Sequence, residues 1–202
     1  MVRHGDAGAG APLVVLFHGR GSDAGDIIGL AEHLPSSFRY AAVRAPIAEG
    51  SGFAWFANRS IGRPVAESLA ETMAWFRTWL DAEEPGDRPV FLVGFSGGAA
   101  FAGGLLLADP ARFGGVAVLH GTIPFDAGVP TVPGHLDGAA VFLTLGTDDT
   151  VIPPDLQART WDYLTGGSGA AVLARREPAG HHLTQATVDA LGRWLDERQA
   201  TT

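Results

Sequence analysis

Three groups of residues stand out for their chemistry. They are Ser96 in Gly94-Phe95-Ser96-Gly97-Gly98, an aspartate at 148 or 149 in Gly146-Thr147-Asp148-Asp149, and a histidine at 181 or 182 after Gly180. A serine hydroxyl is a poor nucleophile until a histidine takes its proton. The histidine in turn needs a carboxylate to fix its tautomer and stabilise its charge. The chain supplies these in the order nucleophile, acid, base. Gly-x-Ser-x-Gly alone decides little in a sequence with 28 glycines, so its setting matters. Gly166-Gly167-Ser168-Gly169 lies between a helix-like and a strand-like segment and reads as a flexible connection.

The setting of Ser96 is a strand, a sharp turn and a helix: Val90 to Val93 is continuously apolar, and Ala99-Ala100-Phe101-Ala102 follows the motif. Glycines at 94 and 98 let two backbones meet where a Cβ would clash, which puts the serine at the apex of a strained turn. Other elements follow the same alternation. After a loose N-terminal arm over 1–11, Pro12 to Phe17 reads as a strand, and Ser22 or Asp23 caps a helix reaching about Leu34. Tyr40 to Arg44 reads as a strand and 46–63 as an irregular segment. Val65, Leu69, Met73, Phe76 and Leu80 mark an amphipathic helix, and the helix after Ser96 ends at Asp109-Pro110. Strands are expected at Gly115 to Leu119, Ala139 to Leu145 and Ala170 to Ala174, with helices from Pro154 to Leu164 and Leu183 to about Gln199. Continuously apolar strands alternating with helices indicate a parallel sheet covered on both faces, a three-layer α/β domain. Functional groups in such a sheet gather at the carboxyl ends of its strands. His18, Ser96, His120, Asp149 and His181 all follow strands at that edge.

From about Pro12 to Leu195 the sequence resembles α/β-hydrolases of the small carboxylesterase, lysophospholipase and acyl-protein thioesterase type. The resemblance is carried, in order, by Leu16-Phe17-His18-Gly19-Arg20-Gly21-Ser22-Asp23, Arg44-Ala45-Pro46 with Trp55-Phe56, Gly94-Phe95-Ser96-Gly97-Gly98, Gly146-Thr147-Asp148-Asp149-Thr150-Val151-Ile152-Pro153 and Gly180-His181. It implies an α/β-hydrolase fold with a mostly parallel sheet and little or no lid. It also implies a carboxylesterase working through an acyl-enzyme, with thioesterase, lysophospholipase and acyltransferase as alternatives on the same triad, and a non-catalytic binding relative as a remote one. Its Gly-x-x-Asp-x-x-Val/Ile-Pro and Gly-His patterns select Asp149 as the acid and His181 as the base, leaving Asp148 a solvated turn residue and His182 a loop neighbour. The oxyanion donors it implies are the backbone N–H groups of Arg20 and Gly97. His18 is expected to position the oxyanion loop, and the Arg20 side chain to pair with an acidic surface group or reach substrate. Ala57 stands where the family often has Asp, and His120-Gly121 where it often has Ser-Gly, so His120 is expected to satisfy loop carbonyls or to touch substrate. Trp55, Phe56, Ile123, Phe125, Ile152 and Leu183 are the candidate apolar substrate wall.

Bulk properties bound the rest. A single domain over 1–202 is expected from the length. A formal charge of -8 argues against a nucleic-acid partner or an anionic membrane surface. The absence of cysteine excludes disulfides, thiolate metal sites and a cysteine nucleophile. Adjacent His181 and His182 do not have two-ligand spacing, and no dinucleotide or phosphate loop motif is present, so no cofactor or metal is expected. No apolar run reaches the length of a membrane span or a signal core, which makes cytoplasmic residence the default. The expected partner is a small-molecule ester or thioester, bound by a monomer or homodimer.

Overall fold

The computed structural model describes residues 1–5, 7–8, 10–84 and 88–200. Its strands are β1 (Val2–His4), β2 (Leu13–Phe17), β3 (Arg39–Val43), β4 (Ile47–Glu49), β5 (Gly52–Ala54), β6 (Asn58–Ser60), β7 (Arg63–Pro64), β8 (Val90–Phe95), β9 (Gly115–Leu119), β10 (Ala140–Gly146) and β11 (Ala171–Glu177). The α-helices are α1 (Ala24–Ile28), α2 (Ala66–Glu83), α3 (Gly97–Ala108), α4 (Pro154–Asp162) and α5 (Gln185–Gln199). None of the described helices is long and apolar enough to cross a membrane.

Among the described residues one sheet has the order β1-β3-β2-β8-β9-β10-β11. Only the β1–β3 edge pair is antiparallel. Alternate residues of β2 show why its run is apolar throughout. Leu13, Val15 and Phe17 pack into one core with α2 and α3, while Val14 and Leu16 pack into another with α1 and α5. Between β2 and β8 the strand order reverses, because β2 is followed by β3 on one side and the chain then crosses to β8 on the other. Loops after those two strands part there and leave a crevice, the usual place for a site in such sheets. His18-Gly19-Arg20 and Ser96 flank it.

Three expectations are revised. The arm over 1–11 is not loose throughout: Val2, Arg3 and His4 pair with Ala42, Ala41 and Tyr40. Residues 6 and 9 of that arm, like 201 and 202 at the other end, lie outside the described residues. The segment 46–63 is not irregular but folds largely as two hairpins, β4–β5 and β6–β7; its short strands are too brief to show periodicity. The first helix stops at Ile28 and continues as a tighter 3-10 turn over Gly29–His33. Pro35 explains where that turn ends, since the residue before a proline is pushed out of helical conformation, and Leu34 is extended at φ -111, ψ 165.

The larger core is anchored by aromatic rings under the site. Phe101 of α3 stacks on Trp55 at 4.6 Å and meets Phe17 and Phe76 edge-on at 5.3 and 5.9 Å. All four rings are at most 1% exposed. Phe101→Ala is expected to lower the unfolding free energy by about 3–5 kcal/mol, from lost burial and the cavity left behind. Urea denaturation followed by tryptophan fluorescence measures it, and a loss under about 1 kcal/mol would contradict this packing.

Candidate active site

Ser96 is held at φ 55, ψ -115, a conformation an L-residue adopts only at a cost of about 1–3 kcal/mol. The surrounding backbone imposes it. Ser96 N–H donates to Leu119 O at 3.0 Å, continuing the β8–β9 ladder, while Ala99 N–H turns back to Ser96 O at 3.0 Å to begin α3. A Cβ on Gly94 would lie 2.2 Å from Gly98 O, and one on Gly98 2.2 Å from Phe17 O. Only glycine fits at either position.

His181 bridges Ser96 and Asp149. Its Nε2 lies 2.8 Å from Ser96 Oγ and its Nδ1 2.8 Å from Asp149 Oδ2. The other carboxylate oxygen of Asp149 accepts N–H bonds from Val151 at 2.8 Å and Ile152 at 3.1 Å. Burial by itself would raise the Asp149 pKa. The bonds from His181, Ile152 and Val151 outweigh it and hold the group below the ordinary carboxylate value. A carboxylate ionised at neutral pH therefore faces Nδ1, which makes Nδ1 the protonated nitrogen and leaves Nε2 free to accept the serine proton.

The loops carrying Asp149 and His181 are bonded to each other. Thr147 N–H donates to Glu177 O at 2.8 Å and Asp148 N–H to Ala179 O at 3.1 Å. A Cβ on Gly146 would lie 2.3 Å from Ala179 O, so this approach also requires glycine. The Glu177 carboxylate accepts bonds from Thr184 Oγ1 at 2.6 Å, Thr187 Oγ1 at 2.5 Å and Arg175 Nε at 3.0 Å, fixing the start of α5 just after His181. Glu177 gave no signal in the sequence, because nothing local to it marks a partner ten residues on. Asp148 and His182 are exposed and stand outside the Ser96–His181–Asp149 chain.

The Arg20 backbone packs against Gly97, the residue after Ser96. A Cβ on Gly97 would stand 3.3 Å from Arg20 N, and the Arg20 N–H has no backbone acceptor among the described residues. Gly97 opens α3, whose first N–H groups have no partner within the helix and carry its positive dipole end. The Arg20 loop is fixed from both sides. Gly21 N–H donates to Phe53 O and Phe53 N–H to Ser22 O, each at 2.9 Å, and the Arg20 side chain pairs with Glu49 of β4. His18 is fully buried and its Nδ1–H donates to Gly19 O at 2.7 Å, while its Nε2 accepts from Ala45 N–H at 3.1 Å. Burial lowers the His18 pKa, against the pull of its bond to Gly19. It is a neutral strut with both nitrogens engaged and no route for a proton.

Of the six expected wall residues, Phe56 and Ile152 line a cavity beside Ser96. Trp55 does not: it faces the core, with Nε1 donating to His18 O at 2.9 Å. Ile123 is 1% exposed and packs on Gly103 of α3. Phe125 lies beneath the Arg159 guanidinium at 4.0 Å, and Leu183 packs against the second core. The cavity draws instead on Asn58, Ile61, Gly62 and Thr122, three of them from the β6–β7 hairpin that the sequence did not reveal. His120 is fully buried, lines neither recess described at Ser96, and has no hydrogen bond of good geometry to either ring nitrogen among the described residues. Its loop-carbonyl contact is to Gly180, short of full hydrogen-bond geometry, and it lines no recess at Ser96 that would bring it to substrate.

A mostly parallel sheet with helices on both faces, and a serine at a strand-to-helix elbow, define an α/β-hydrolase. A carboxylesterase of Bacillus cereus has this fold at a TM-score of 0.81 and 25% identity, covering 98% of this chain and 93% of its own. Arabidopsis thaliana SOBER1 shares the fold at a TM-score of 0.78 and 21% identity, over 94% of this chain and 100% of its own. The chain belongs to the phospholipase/carboxylesterase family, whose model matches residues 5–197. MhqD of Bacillus subtilis (strain 168) is 24% identical over 196 residues, 95% of this chain and 96% of that protein. The protein is thus a hydrolase of the carboxylesterase type.

Burial lowers the His120 pKa below its ordinary 6.5, with Asp149 pulling the other way and His181 reinforcing the shift. An imidazole with a depressed folded value contributes stability above pH 6.5 and loses it as pH falls through the folded value. His18 acts in the same direction. Stability should therefore decline below pH 6.5, and less steeply in His120→Asn, a residue that tolerates the positive φ of 44 at this position. Urea unfolding at pH 8, 6.5 and 5 compares the two, and identical slopes would contradict it.

Proposed function

We propose that this protein, a single α/β-hydrolase domain spanning 1–202, cleaves carboxylic esters by nucleophilic catalysis at Ser96. Ser96 Oγ attacks the acyl carbon while His181 Nε2 takes its proton. The carbonyl oxygen becomes an oxyanion facing the N–H groups of Arg20 and Gly97. The bond to the leaving oxygen then breaks, and that oxygen receives the proton from His181. Water follows the same path against the acyl-enzyme, giving its proton to His181 and releasing the acid and Ser96. Asp149 keeps the His181 ring oriented and stabilises its positive charge throughout.

The observation that carries this reading is the bridge of His181 between Ser96 and Asp149 at 2.8 Å on each side; the Arg20 backbone packed against Gly97 supports it. No cofactor enters the reaction. Thioesters and lysophospholipids present the same acyl carbon, so thioesterase and lysophospholipase activity are variants of this proposal, as is acyl transfer to an alcohol. Cytoplasmic residence, and a monomer or homodimer, belong to the same reading.

Ser96→Ala should reduce ester turnover on the order of a million-fold, and Asp149→Asn by on the order of ten-thousand-fold. p-Nitrophenyl acetate hydrolysis, with fluorophosphonate labelling of Ser96, is the measurement. A Ser96→Ala protein near the parent rate would refute the assignment. Parallel assays with thioester, lysophospholipid and added alcohol separate the variants.

A further inference from the structure

Two recesses open on Ser96 from different sides. The broader, about 330 Å³, is walled by His18, Ser22, Asp26, Ile27, Phe95 and His181. The narrower, about 50 Å³, runs past Gly97 between Phe56, Ile61, Gly62, Ala100, Thr122 and Ile152, with Asn58 also in its wall. We propose that the narrow recess takes the acyl group and the broad one the leaving alcohol, and that the preferred acyl group is short and carries a hydroxyl recognised by Asn58. This deepens, and rests on, the acyl-enzyme reading of the same site.

The direction follows from proton transfer. His181 Nε2 must protonate the leaving oxygen, so the leaving group lies on the side that His181 lines, which is the broad recess. The acyl chain then extends the other way, past Gly97. Size sets its length. The narrow recess, about 50 Å³ against about 330 Å³ for the broad one, suits a short acyl group.

Its end wall is fixed in place. Val65 N–H donates to Ala57 O at 2.8 Å, and Arg63 of β7 pairs with Asp155 of α4 at 2.8 Å. A Cβ on Gly62 at the hairpin tip would already lie 2.7 Å from Leu156 and 3.0 Å from Thr122. A long alkyl chain would have to displace this hairpin.

Polarity sets the substituent. The Thr122 hydroxyl is committed to Ile123 O at 3.0 Å and Thr160 Oγ1 at 2.8 Å. Asn58 Oδ1 is buried without any partner among the described residues. A buried amide oxygen left unpaired is costly; a turn of the Asn58 amide, which lines the recess, would let a hydroxyl there relieve that cost, and an all-carbon acyl chain cannot. A hydroxyl both donates and accepts, so it pairs with the Asn58 amide whichever end of the amide faces the recess.

The test compares ethyl butyrate, ethyl 3-hydroxybutyrate and ethyl octanoate, with proton release as the readout. The 3-hydroxybutyrate ester should exceed butyrate in kcat/KM by about three- to tenfold, the range one neutral hydrogen bond supplies, and octanoate should be slowest. In Asn58→Leu the ratio of 3-hydroxybutyrate to butyrate should fall to about one. Inhibition of the unmutated protein by free 3-hydroxybutyrate against butyrate gives the same comparison without a variant. Octanoate preferred, no gain from the hydroxyl, or a gain that survives Asn58→Leu would each overturn the inference while leaving the esterase reading intact. Absence of both Ser96-dependent turnover and fluorophosphonate labelling would overturn the two together.

Discussion

The site depends on how closely three pieces of backbone approach one another at the end of β8. Gly94 and Gly98 bring the strand against the first turn of α3, and Gly98 also abuts the Phe17 carbonyl at the end of β2. No side chain fits in either gap. Ser96 is consequently forced to φ 55, which lifts its hydroxyl out of the turn, and the Arg20 loop is brought beside Gly97. Ser96 and the Arg20 and Gly97 backbone proposed as oxyanion donors are thus set by one steric arrangement, and the strain at Ser96 is carried by the ladder bond to Leu119 and the helix behind it.

Everything else stiffens the surroundings of that elbow. Neutral, buried His18 ties the Arg20 loop to Ala45, and the β4–β5 hairpin holds the same loop through Phe53 and Glu49. On the opposite side the Asp149 and His181 loops share backbone bonds, with Gly146 allowing the contact and Glu177 pinning the start of α5. Preorganisation of this sort is what an oxyanion site requires, since donors that need not move at the moment of reaction cost nothing to align. Burial of Asp149 works against its ionisation, and three donated hydrogen bonds reverse the balance.

The chemistry and the selectivity come from different kinds of structure. Ser96, Asp149 and His181 stand on loops at strand ends, which the parallel sheet places at one edge. The β6–β7 hairpin bounds the narrow recess proposed for the acyl group and is joined to the start of α4 by Arg63 and Asp155. A surface hairpin of this kind can change without disturbing the sheet beneath it.

Much was legible from local sequence. Continuous apolar runs gave the strands because each is buried on both faces, and Gly-x-Ser-x-Gly between a run and a small-residue helix marked the elbow, since backbone crowding there admits only glycine. Family-like patterns then chose Asp149 over Asp148 and His181 over His182, and the geometry brings those two to Ser96. What sequence could not supply was contact between distant segments. Trp55 reads as wall or core equally well until its ring is found stacked on Phe101, and Glu177 looks ordinary until α5 returns to it. Asn58 and Gly62 acquire a role only when a hairpin too short for periodicity folds over Ser96. Local sterics and hydrophobic burial are written in neighbouring residues, and so the sequence alone determined the sheet and the reactive edge. The shape and polarity of the recess arise from surfaces that meet only in three dimensions, and the tertiary structure alone decided them.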